Sequence, residues 1–150
     1  MHPHVGLEHS MGFALKRLQQ TLRSRMDAAL APHSLTTPQY LVLALLAEHP
    51  GISNSELARR SAVAAPTMLR ILDRLSQAGH ITRADRSPEL RTRGTALTSS
   101  GEKQLAAASE HVRRFEDLLL AHAKPDHVEI IMTWMRTCTE EMTWPASRRL

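Results

Sequence analysis

Aromatic side chains are nearly missing from this chain: two Phe, two Trp and one Tyr make up 3% of 150 residues. Its core must then come from Leu, Ile, Val, Met and Ala, which favours helices over sheets. The single cysteine, Cys138, excludes an intrachain disulfide and a multi-cysteine zinc site, and a reducing compartment fits it. The longest apolar run, YLVLALLA at 40–47, is far short of the roughly 20 residues that span a bilayer. The opening MHPHVGLEHS lacks the charged leader and apolar stretch of a signal peptide. We therefore expect a soluble, cytoplasmic protein with no membrane partner. There is no Gly-rich phosphate loop, no HExxH and no nucleophile elbow, so neither an enzyme nor a cofactor is expected.

Lysine is also absent from one stretch, and arginine takes its place. Between Arg59 and Arg93 stand eight arginines, with only Asp73, Asp85 and Glu89 opposing them. The rest of the chain has eleven basic and twelve acidic side chains, so the whole net charge of +4 comes from this middle segment. Arginine is the better fork for phosphates and guanine edges, which points to nucleic acid; a solvated basic surface is the plainer alternative.

An apolar content of 42% over this length suits a single domain. Leu7, Met11, Leu15, Leu18, Leu22, Met26 and Leu30 recur at helical steps and predict a long amphipathic helix over 7–31. Thr36 and Gln39 form a capping box, with Pro38 tolerated in the first turn, for a largely apolar, central helix over about 37–48. Ser53 and Glu56 read as a second capping box for a short helix over about 54–60. AAPTMLRILDRLSQAG then predicts a helix with Met68, Ile71, Leu72 and Leu75 on one face. Ala65, Thr67, Leu69, Arg70, Asp73 and Arg74 lie on the other, and Gly79 takes the left-handed position past its end. Two short helices around a tight turn make a helix-turn-helix pattern.

HITRA (80–84) and RTRGTALT (91–98) read as two short strands around the loop DRSPEL. A basic hairpin directly after a helix-turn-helix makes a winged helix, with one helix for the major groove and the hairpin for the flanking backbone or minor groove. Arg83, Arg86, Arg91 and Arg93 are then placed to meet phosphates. A helix restarts at Thr98 or Ser99 with a buried stripe of Leu105, Ala108, Val112, Phe115, Leu119 and His122. Pro125 breaks it. A last helix over about 126–142 uses Val128, Ile131, Met132, Met135, Cys138 and Met142.

Three blocks, LTTPQYLVLALLAEHPGISNSELAR, PTMLRILDRLSQAGHITR and LRTRGTALTSSG, span 35–101. In order and spacing they resemble the multiple-antibiotic-resistance regulator (MarR) family of bacterial winged-helix repressors. The resemblance implies a mainly α fold, a winged helix-turn-helix with a small β-hairpin. One domain would fill 1–150, with a DNA-binding lobe over 36–98 and a helical dimerisation region from 7–31 and 98–142. It implies a homodimer on a pseudo-palindromic DNA operator. The DNA-contacting residues would be Ser53, Ala65, Pro66, Thr67, Leu69, Arg70, Arg74, Arg86, Arg91 and Arg93, with Arg91 at the wing tip. The chain departs from the family pattern where ELR replaces DRR, where Ala64 replaces a capping serine and where Leu69 replaces a threonine.

The resemblance also implies release from DNA by a small aromatic or phenolic acid. Met11, Leu15, Leu18, Tyr40 and His111 would line its site and Arg17 would pair with its carboxylate. Other modes of control weigh less. The nine histidines fall in separate sets, so no metal site is expected. Cys138 sits on an apolar stripe and reads as a buried structural thiol rather than a redox switch. A redox- or metal-responsive regulator of the same fold, or an architectural module without ligand response, is the alternative.

Overall fold

A computed structural model describes residues 6–83 and 94–143. The chain divides into two compact units, Met1–Val112 and Arg113–Leu150. The first begins with a 3-10 turn, Leu7–His9, and a helix, α1 (Met11–Leu30), whose N-cap Ser10 accepts a hydrogen bond from the Phe13 N–H. The sequence pattern had suggested one helix through 7–31. It breaks at Ser10 because that residue is extended and spends its hydroxyl on the cap. The apolar stripe of α1 is buried only at its far end: Leu30 is fully shielded, Leu22 and Met26 are half-buried, and Met11, Leu15 and Leu18 are exposed.

A second 3-10 turn, Ala31–His33, leads into α2 (Thr37–Glu48), where the Thr36–Gln39 capping box forms in both directions. Asp27 fastens α1 to this start, accepting from the Thr37 hydroxyl at 2.6 Å and the Thr37 N–H at 3.1 Å. The hydroxyl bond is the main reason its carboxyl lies below the usual carboxylate range. The next helix is α3 (Asn54–Arg60). Here the expected capping box is only half made. Ser53 accepts from the Glu56 N–H, but the Glu56 carboxylate turns to Arg59 and Arg60. Two guanidinium donors out-compete one backbone N–H for the same acceptor. Hydrogen bonds from Arg59, then Arg60, hold Glu56 down to about 2.

Next comes α4 (Ala65–Gln77). At its end His80 donates to the Leu75 carbonyl and Gly79 to the Ser76 carbonyl. This paired closure places Gly79 at φ +75. At its start Ala64 has the extended N-cap geometry but no side-chain acceptor. Ala64→Ser should therefore supply the missing acceptor for the Thr67 N–H and raise stability by about 1 kcal/mol. A urea unfolding midpoint identical to the parent's would refute this.

Two short strands, β1 (Ile81–Thr82) and β2 (Ala96–Leu97), pair antiparallel, with Ile81 opposite Leu97 and Thr82 opposite Ala96. The rest of the expected hairpin, 84–93, lies outside the described residues. The core gathers Leu30, Leu35, Val42, Leu43, Leu46, Leu57, Met68, Leu72, Leu75, Ile81 and Ala108. Each of its fully shielded leucines contributes roughly 1.5–3 kcal/mol. Ala108 comes from α5 (Ser99–Ala121), with Leu105 and Val112 packed beside it.

The second unit holds the end of α5 and α6 (Pro125–Thr143). The expected buried stripe does not continue here. Phe115 is half-buried, whereas Leu119 and His122 are exposed, as are Ile131, Met132, Met135 and Met142 on α6. Their exposure shows that helical periodicity alone overstates burial, since it marks which side chains share a face and not what covers that face. Among the described residues no helix is long and apolar enough to cross a membrane.

Candidate nucleic-acid interface

α4 has two faces of opposite character. Met68, Leu72 and Leu75 are at most 1% exposed and Ile71 is buried beside them. Ala65, Pro66, Thr67, Leu69, Arg70 and Arg74 are all exposed, Leu69 by 46%. The apolar face anchors the helix on α2 and α3, so the polar face looks outward along a rigid rod. Among the described residues neither Arg70 nor Arg74 is held in an ion pair. Ser53, at the head of α3, is also exposed, although its hydroxyl already serves the Glu56 N–H and lies 3.0 Å from the Ser55 hydroxyl. Arg59 and Arg60 crowd the end of α3 on Glu56, and Arg60 reaches His49 at 2.8 Å.

Arg83 is not the phosphate contact that its place in the basic segment suggested. Its side chain is 4% exposed and forms an ion pair with Asp73 of α4. The guanidinium is thereby turned inward as a brace between α4 and the end of β1. No nearest-neighbour pattern signals a pairing of that kind. Arg86, Arg91 and Arg93 lie outside the described residues, so the wing contacts rest on the sequence alone.

The residues expected to line a ligand site fall into two groups. Tyr40 and His111 both mark contacts of α5: the Tyr40 hydroxyl of α2 lies 3.3 Å from that of Ser109, and His111 Nδ1 on α5 lies 3.2 Å from His33 Nε2, the rings edge to face. Gln104 donates to the His33 carbonyl beside them. Met11, Leu15 and Leu18 stay exposed on α1, and Arg17 lies over the Phe13 ring, 6.0 Å from its centroid. Among the described residues no three His, Cys, Asp or Glu side chains are grouped to hold a metal ion.

Sequence reasoning missed a hollow that has Ser109 in its wall and is bounded by α2, β2 and α5. Its α5 residues, Glu102, Leu105 and Ser109, share one helix face. In sequence that spacing reads as core, so no signal separated a cavity wall from packing.

Comparison with known proteins agrees with this geometry. A profile of the MarR family matches residues 35–92. The HTH-type transcriptional repressor Rv2887 of Mycobacterium tuberculosis is 36% identical over 107 residues, covering 71% of this chain and 76% of that one. The structure of the transcriptional repressor CouR bound to a 23-mer DNA duplex superposes with a TM-score of 0.76 at 32% identity, covering 89% of this chain and 94% of that one. Rv2887 in complex with salicylic acid superposes with a TM-score of 0.64 at 29% identity, covering 86% of this chain and 98% of that one.

Proposed function

The chain belongs to the MarR family, and from that premise we propose that it is a transcriptional repressor that reads a DNA operator through α4. The observation that carries this is the outward face of α4, with Arg70 and Arg74 exposed above a fully buried apolar seam. Ala65, Pro66, Thr67 and Leu69 complete the reading surface, and Leu69 is an apolar contact for a thymine methyl. Ser53 at the head of α3 and the wing residues Arg86, Arg91 and Arg93 serve the backbone or minor groove. The relatives support this through a repressor bound to a DNA duplex.

The protein acts as a homodimer in this reading. Each unit leaves apolar side chains exposed for a second copy to cover, Met11 and Leu15 on α1 in the first and Leu118, Ile131, Met132 and Met135 on α5 and α6 in the second. Two copies of α4 then enter successive major grooves about one helical turn apart. Release follows when a small aromatic ligand favours a different arrangement of the reading helices. A complex of Rv2887 with salicylic acid supports that mode of control. The protein is a regulator, not an enzyme.

The test is Arg70→Ala. It should weaken operator binding by about 1–3 kcal/mol and relax the preference at one base pair, because a guanidinium on a base edge carries both affinity and choice. Fluorescence anisotropy on the operator and on single-base variants measures both. Unchanged affinity for the operator would show that α4 is not the reader.

A further inference from the structure

The hollow beside Ser109 has a volume of about 550 Å³ and lies between the end of α2, β2 and the first half of α5. That is within the range of small-molecule sites. Leu46, Pro50, Leu97 and Leu105 line it with apolar surface, and the Ser109 hydroxyl, 3.3 Å from that of Tyr40, adds a polar point. Among the described lining residues a single one is charged, Glu102. No described cation lines the hollow to receive an acid. An aromatic carboxylate seated here would put its anion beside Glu102, a like-charge contact that lowers affinity. An aromatic ammonium compound would place its ring on the leucines and its cation on Glu102.

We propose that this hollow is an effector site whose ligand is an apolar aromatic amine in its ammonium form. The effector role rests on reading the chain as a ligand-released repressor; the charge preference does not. The location suits an effector. The wall joins Ala96 and Leu97 of β2 to Glu102, Leu105 and Ser109 of α5. A ligand that touches both sets their spacing.

The test uses the full-length protein and two probes with the same ring, 2-(1-naphthyl)ethylammonium and 1-naphthylacetate, titrated by calorimetry without DNA. The ammonium probe should bind at least tenfold more tightly. Glu102→Gln should erase that preference and Glu102→Lys should invert it. Glu102 is exposed in the first turn of α5, so Glu102→Gln should melt close to the parent and Glu102→Lys somewhat lower, both still folded, which circular dichroism checks. Equal or tighter binding of the carboxylate by the parent, an ammonium affinity indifferent to Glu102→Gln, or no binding of either probe would overturn the assignment. Operator anisotropy is the second arm. A parent protein that binds the ammonium probe yet never binds operator would overturn the repressor reading and leave the ligand class standing.

Discussion

Gly101→Ala should be among the most damaging single substitutions in this protein, lowering stability by about 3 kcal/mol, the upper end for overpacking. Gly101 is buried in the first turn of α5, against the backbone of His80 just past α4. A Cβ there would overlap the His80 carbonyl oxygen and come within 2.9 Å of the carbonyl carbon. That carbonyl cannot swing aside cheaply, because it accepts the Thr98 N–H at 3.0 Å. Thr98 holds the same junction twice more: its hydroxyl donates to the Gly79 carbonyl at 2.6 Å and accepts the Gly101 N–H at 3.1 Å. Gly12 supplies the control. It too is helical, in α1, but a Cβ there meets nothing nearer than the Ser10 hydroxyl at 3.9 Å. Gly12→Ala should be neutral or stabilise by up to about 1 kcal/mol, the ordinary gain in a helix. Urea unfolding of the two variants should thus move the midpoint far down in one case and not down in the other. Equal midpoints would dismiss the close approach of α5 to His80.

The second large effect is expected at the brace between α4 and β1. Asp73→Ala should cost about 2 kcal/mol, because it takes a carboxylate from a guanidinium that is almost completely shielded. The cost stays below that of a fully buried pair because the Asp73 side chain is 37% exposed. Arg83→Met should cost less. It replaces the buried charge with an apolar chain of similar length, and leaves a carboxylate that water can reach. The two variants also separate structure from DNA contact. If Arg83 only braces, Arg83→Met leaves the slope of log K against log salt unchanged, since no phosphate contact is lost. A slope reduced by about one unit would return Arg83 to the phosphate-binding set.

These residues show how far sequence alone reaches. Thr36 with Gln39, Gly79 past α4 and the seam Met68, Ile71, Leu72 and Leu75 were all legible, because each depends on partners within four residues or on one repeating step. The half-made box at Ser53 shows the edge of that reach. Its pattern was right, but Arg59 and Arg60, equally local, claimed the acceptor. The stripes of α5 and α6 were legible as apolar, yet their exposure in one chain was not, since burial depends on what lies opposite. The hollow at Glu102 was hidden for the same reason.

By itself, then, the sequence determined where α2, α3 and α4 begin and end, which face of α4 is apolar, the family, and where positive charge concentrates. Those features are set by capping, periodicity and composition, whose physical range is a turn of chain. Only the tertiary structure decided that Arg83 turns inward to Asp73 while Arg70 and Arg74 stay exposed, and that residue 101 has room for no side chain. It alone placed Glu102 as the one charged residue among the described residues that line a cavity. Each of these depends on contacts between segments that the chain brings together only on folding, where desolvation and excluded volume act on whichever atoms happen to meet.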